Sequence, residues 1–220
     1  MIPTFAVVPS DGRPVLDECL AAVADQVDAI ILIGNNWQRP VGIGGPTTYV
    51  TLDCGADRNI SRWWNQGLRK AAALARRRGY AQWNVAVLND DAVIPTSWVE
   101  ALSAAMRSTT AVLAYPDQCG GQQQILHTKA EPVDLRQRIT GYAYMLRGEA
   151  GLQLDESMAW WFSDDSLDWE SRENGGALLV PGIPVRHLYP NGFTDAHPEL
   201  QEQAGRDRET FIAKWGRAPH

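Results

Sequence analysis

Val85-Ala86-Val87-Leu88-Asn89-Asp90-Asp91 is an apolar, β-branched run that stops on two adjacent carboxylates near the middle of a 220-residue chain. Such a run suits a strand buried on both faces of a sheet, and in open α/β sheets ligands gather beyond the carboxyl ends of those strands. Two acids at a buried strand end are costly unless a cation neutralises them. Carboxylate oxygens are hard ligands that favour Mg2+ or Mn2+, and either ion can bridge two phosphates. The same seven residues also fit a strand running into an Asx turn, so the rest of the chain has to separate the two readings.

Upstream of this run, strand-like and helix-like segments alternate, which implies an α/β protein with a mainly parallel central sheet flanked by helices. Phe5-Ala6-Val7-Val8 reads as the first strand, halted by Pro9-Ser10-Asp11-Gly12. Pro14 suits a first helical turn, and Val15, Leu16, Cys19, Leu20, Val23 and Val27 recur at helical spacing. Residues 29–33 form a second buried strand, 34–46 a polar, Gly-rich loop and 48–52 a third strand. Asn59 caps a helix from Ile60 to about Arg78, whose closing Arg76-Arg77-Arg78 complements the helix dipole. The fourth strand runs from Trp83 to Leu88, and Ser97-Trp98-Val99-Glu100 has capping-box spacing before another helix.

The second half is less regular. Residues 112–115, 125–127 and 142–146 are strand candidates, with a Gly- and Gln-rich loop at 120–124. Asp164-Asp165-Ser166-Leu167-Asp168 should open a helix, because carboxylates favour a first helical turn. Short strands follow at 177–180 and around Val185-Arg186-His187, and an amphipathic helix from Glu199 to about Trp215.

Composition bounds the function classes. The chain is 45% hydrophobic with a formal net charge of −6, which fits a globular core and argues against a nucleic-acid-coating surface. Cys19, Cys54 and Cys119 show neither C-x-x-C spacing nor close histidines, as expected of reduced thiols. No apolar run approaches the roughly 20 residues that span a bilayer, and the N-terminus lacks a signal-peptide pattern, so a cytoplasmic location without stable membrane insertion is expected. Nine tryptophans include the adjacent pairs Trp63-Trp64 and Trp160-Trp161. Their faces suit either core packing or stacking on sugar rings and bases.

The order of these pieces resembles that of family-2-type glycosyltransferases over roughly residues 4 to 216. Val7-Val8-Pro9-Ser10 resembles the opening strand and nucleotide-contacting turn, and Asn59-Ile60-Ser61-Arg62-Trp63-Trp64-Asn65-Gln66-Gly67 the N-x-x-x-x-x-N-x-G helix beside the donor. Leu88-Asn89-Asp90-Asp91 resembles the D-x-D-type metal site, and Phe162-Ser163-Asp164-Asp165 with Arg172 and Gly175-Gly176 the acceptor-side E-D…R-x-x-G helix. The resemblance implies a GT-A (Rossmann-like) fold in one domain, 1–220. About 1–95 would be the nucleotide-sugar half and about 96–220 a less regular acceptor-side half. It implies transfer of a sugar, with inversion, from a nucleotide-diphosphate donor, UDP being the commonest, to an acceptor hydroxyl on a glycan, protein or modified nucleic acid, with Mn2+ or Mg2+.

It also assigns residues. Pro9, Ser10, Asn35, Arg62, Asn65, Asn89 and Asp90 would contact the donor, with Asp90 nearer the ribose or a metal-bound water. Asp91 and the late His187 would hold the metal. Asp165 would be the general base, with Asp164 beside it. Tyr142, Trp160 and Trp161 would offer the acceptor a stacking surface. The chain departs from the pattern at Gly34-Asn35-Asn36, where relatives carry an acid for the base, at Asn89, the usual first acid of D-x-D, and at Asp164, the usual Glu. Two other readings stay open: a nucleotidyltransferase on a similar sheet, which would normally need a Gly-rich basic loop where this chain has Ser10-Asp11-Gly12-Arg13, and a non-catalytic sugar- or nucleotide-binding module.

Overall fold

A computed structural model describes residues 2–35, 48–53, 58–190 and 192–219. The first half forms β1 (Thr4–Ser10), α1 (Leu16–Val23), β2 (Ala29–Gly34), β3 (Thr48–Asp53), α2 (Ile60–Arg77) and β4 (Asn84–Leu88). The remainder forms β5 (Ala92–Val93), α3 (Trp98–Arg107), β6 (Leu113–Pro116), β7 (Ile125–His127), β8 (Ala143–Arg147), α4 (Ser163–Glu173), β9 (Ala177–Val180), β10 (Arg186–His187), α5 (Gly192–Asp195) and α6 (Pro198–Trp215). Cys54, Asn36 and most of the 34–46 loop lie outside the described residues.

One sheet of eight strands carries the order β3-β2-β1-β4-β8-β6-β9-β7. The expected parallel set is there: β2 and β4 flank β1, and β3 joins β2, all parallel. The second half adds antiparallel β8 beside β4, then β6, β9 and β7. The chain builds outward from β1 to β3 and then crosses back to place β4 on the other side of β1. That reversal between β1 and β4 opens a crevice at their carboxyl ends.

The strand runs are apolar without interruption because both faces are covered. Ala6, Val8, Ile30, Leu32, Ala86 and Leu88 pack with Leu16 and Leu20 of α1 and Trp98 and Leu102 of α3. Phe5, Val7, Ile31, Ile33, Val85 and Val87 point the other way, onto Trp63, Trp64, Leu68 and Ala71 of α2. Asn59 caps α2 as its sequence position suggests, its side chain accepting from the Arg62 N–H at 2.9 Å.

Gly67 lets α2 lie close on β1. A Cβ there would fall 2.3 Å from Val7 Cγ1, inside a fully buried layer. Gly67→Ala should therefore lose stability despite alanine's better helix propensity, by about the 1–3 kcal/mol of an overpacked core. The urea midpoint measures this, and an unshifted midpoint would mean that the helix and strand separate freely.

The α3 start departs from the capping-box expectation. Ser97 sits at φ −101° and ψ 9° and makes no side-chain cap bond. Gln26, in the turn after α1, takes that place: its Oε1 accepts from Val99 N at 3.2 Å and its Nε2 donates to Pro95 O at 3.0 Å. An amide from another element satisfies the first turn, so the serine is not needed.

Candidate functional site

The crevice at the ends of β1 and β4 is a cavity of about 220 Å3. Pro9, Ser10, Asn35, Asn89, Asp90 and Asp91 line its sheet side, and Tyr142, Trp160, Trp161, Asp164 and His187 also line it. Eleven of the fourteen residues assigned from the sequence thus meet in one pocket.

Two short links bring the second half to the acids. The Asn89 N–H donates to Tyr142 O at 2.9 Å, tying the entrance of β8 to the end of β4. β10 pairs antiparallel with β5, setting His187 opposite Ala92, and the Leu188 N–H donates to Asp91 O at 3.0 Å. His187 Nε2 therefore lies 3.2 Å from Asp91 Oδ1. The Tyr142 ring stacks on the imidazole at 4.1 Å and 17°. One face of the Tyr142 ring is thus taken by the imidazole, while the residue also lines the cavity.

Asp90 and Asp91 are 4% and 3% exposed. Ser10 Oγ donates to Asp90 Oδ2 at 2.7 Å, and Arg13 reaches Asp90 through Nε and Nη2 and lies 3.4 Å from Asp91 Oδ2. Burial pushes the Asp90 carboxyl up, against the pull of the guanidinium. Asp90 is thus held by Arg13 and Ser10, and the ribose contact expected of it would require that pairing to loosen. Asp91 Oδ1 is buried and makes no hydrogen bond. Two ligand atoms on adjacent sites of one Mg2+-type ion, each at roughly 2.1 Å, sit about 3 Å apart, so the Asp91–His187 spacing suits a shared cation. Among the described residues no group of three or more His, Cys, Asp or Glu forms a metal cage. A two-residue site suits an ion that takes its remaining ligands from water and substrate phosphates. Asn35 Oδ1 and Asn89 Oδ1 are also buried without hydrogen-bond partners, leaving acceptors for a ligand.

The adjacent acids of α4 part company. Asp164 lines the pocket, whereas Asp165, 1% exposed, is gripped by Arg138 through Nε and Nη2. The assignment of Asp165 as base is corrected on this geometry: its two oxygens are taken by a guanidinium, while its neighbour faces the cavity. Desolvation, and then the charge of Asp165, push the Asp164 carboxyl up to about 6. Phe162 turns the chain into α4 at φ 65°, the one positive φ outside glycine among the described residues.

Arg62 and Asn65 are not on the pocket. Arg62 Nε pairs with Glu156 at 3.3 Å on the surface. Asn65 is buried against the segment before α4, donating to Leu154 O and Glu156 Oε1 and accepting from Leu154 N. The helix offers the pocket Ile60, Trp63 and Trp64 instead. Trp160 meets Trp63 edge-on at 6.2 Å and donates from Nε1 to Thr194 Oγ1 at 3.0 Å. Arg13 and Arg138 were not legible as site residues. Arg13 is the basic residue of the turn after β1, and that position was its signal; Arg138 lies in an irregular stretch with none.

No protein-family model matches the chain, and no curated protein sequence matches it. Solved structures do. S. aureus TarS 1–349 in complex with UDP superposes with a TM-score of 0.61 at 9% identity, covering 96% of this chain and 70% of that one. GalNAc-T7 with UDP, GalNAc and Mn2+ gives 0.61 at 13% identity, over 85% of this chain and 44% of that one. A longer S. aureus TarS structure gives 0.58 at 9%, over 97% of this chain and 43% of that one. The chain spans less than half the length of these last two. The likeness fixes the fold, which is GT-A. No helix among the described residues is long and apolar enough to cross a membrane.

Proposed function

We propose that this protein is a glycosyltransferase that moves a sugar from a nucleotide-diphosphate donor, UDP in the first instance, to an acceptor hydroxyl with inversion. The observation that carries this is the meeting, in one pocket, of Asp91, whose buried Oδ1 makes no hydrogen bond and lies 3.2 Å from His187 Nε2, with the inward-facing Asp164. The GT-A neighbours solved with UDP, one of them also with Mn2+, support the same donor class.

Asp91 and His187 would hold the Mn2+ or Mg2+. A divalent cation there supplies positive charge for the departing diphosphate. Pro9, Ser10, Asn35 and Asn89 border the nucleotide, with the orphan amide oxygens accepting from base or ribose. Asp164 takes the proton of the acceptor hydroxyl. The oxygen then bonds to the anomeric carbon opposite the diphosphate, the bond to the diphosphate breaks, and the anomeric configuration inverts. A carboxyl raised toward neutrality is a better base for that proton than an ordinary one. Trp160 and Trp161 wall the acceptor side, and residues 1–220 would serve as one domain with its donor half near 1–95.

The test is a panel of nucleotide sugars with Mn2+, followed by mass spectrometry for released nucleoside diphosphate and for sugar transferred to offered saccharides, proteins and nucleic acids. Proton NMR of the product reads the anomeric configuration. Release of a nucleoside diphosphate from a member of the panel is expected; binding without any release would favour the non-catalytic module, and pyrophosphate release from a nucleoside triphosphate would favour the nucleotidyltransferase.

A further inference from the structure

Asp207, in the middle of α6, is fully buried and accepts four hydrogen bonds from neutral donors. Its Oδ1 receives Ala159 N at 3.1 Å and Gln203 Nε2 at 2.6 Å, and its Oδ2 receives Trp160 N at 2.8 Å and Trp161 N at 2.9 Å. Three successive backbone N–H groups converging on one carboxylate make an anion nest supplied from within the chain. Burying a carboxylate with no cation in its hydrogen-bond set is expensive, so packing alone does not account for it. A carboxylate does have acceptor capacity for all four donors, which a neutral amide lacks.

The nest lies on the stretch that makes the pocket wall. Trp160 and Trp161 line the cavity, and three residues on, after Phe162 in its left-handed conformation and then Ser163, comes Asp164. The carbonyls of the same stretch are held from the opposite side by the start of α2, where Ile60 N donates to Ala159 O at 2.9 Å and Ser61 Oγ to Met158 O at 2.6 Å. The segment is thus clamped through its amides by α6 and through its carbonyls by α2. A short strained stretch holds an uncommon backbone conformation when its surroundings over-determine it.

We propose that Asp207 is a positioning residue: by binding the amides of 159–161 it fixes the Trp160–Trp161 wall and, through the Phe162 turn, the direction in which Asp164 faces. It touches no substrate. This rests on the glycosyltransferase reading for its catalytic consequence, but the clamp itself does not.

The experiment compares Asp207→Asn and Asp207→Ala with the parent by three readouts: amide hydrogen exchange over 159–165, calorimetric binding of UDP with Mn2+, and hydrolysis of the UDP-sugar that the parent turns over fastest. Asparagine must turn an N–H2 toward N–H donors and so breaks part of the nest even where alanine fails to fold. Protection at 159–161 should fall, UDP should bind as in the parent, and kcat should fall by about 100-fold, the scale on which small misplacement of a catalytic group acts. Parent-like exchange would overturn the clamp, parent-like kcat with lost protection would overturn the positioning role, and equal losses of kcat and UDP affinity would reduce Asp207 to a structural residue. A parent that binds no UDP would instead sink the functional reading, and exchange would still decide the clamp.

Discussion

Asp164→Asn should leave UDP binding in Mn2+ intact while turnover falls by roughly 10² to 10⁴, the range that a general base contributes. The change keeps the side chain's shape and removes the group able to take the acceptor proton. Because burial and the Asp165 charge raise the Asp164 carboxyl to about 6, the base is in its working, ionised form above that pH. Turnover of the parent should therefore rise as pH increases through about 6 and level off above it, and that inflection should vanish in the variant. Asp165 gives the contrasting result. Asp165→Ala leaves the Arg138 guanidinium without its partner, so it should act on stability, toward the low end of the ~3–5 kcal/mol cost of breaking a buried pair because Arg138 keeps a quarter of its side chain in solvent. If Asp165→Asn were the dead enzyme and Asp164→Asn fully active, the roles drawn from the pocket would be reversed.

The second large effect is expected at Asp91. Removing a group that only orients a bound metal's ligand costs roughly 10–100-fold in affinity, and Asp91→Ala removes a proposed ligand itself, so the loss of UDP affinity in Mn2+ should exceed that range. The near-ultraviolet circular dichroism of the variant should match the parent's, which separates a lost ligand from a collapsed pocket. Arg13 sharpens the contrast with Asp90, whose carboxylate already has the guanidinium and the Ser10 hydroxyl. Asp90→Asn should accordingly cost less than Asp91→Ala. Equal losses at the two positions would mean that the acids share one role.

The parts of the fold that were legible are those where one physical signal dominates. The runs 5–8, 29–33 and 85–88 are apolar at every position because helices cover both faces of the sheet. The Asn59 cap is local, so sequence alone carried it, whereas the break expected at Pro9 comes two residues later because β1 stays paired with β2 through Ser10. Legibility ended where tertiary contacts choose between local options. Asp164 and Asp165 are chemically alike and adjacent, their directions differ by about 100° on a helix, and the Phe162 turn that precedes them has no signature in a phenylalanine. Asn65 sits at the motif spacing but turns toward Leu154, because the segment before α4 needs its amide more than the pocket does. Gln26 displaced Ser97 in the same way, from 71 positions away in the chain. His187 and Asp91, nearly a hundred residues apart and assigned together on resemblance, lie 3.2 Å from each other, and β10 against β5 is the pairing that brings them together.

Isothermal calorimetry of UDP binding, run once with Mn2+ and once with EDTA, bears most directly on a pocket built to hold a nucleotide diphosphate through a cation at Asp91 and His187. Binding in Mn2+ that is lost in EDTA and restored when the ion is returned is expected. Binding of UDP with the same affinity in both conditions, or no binding in either, would contradict it.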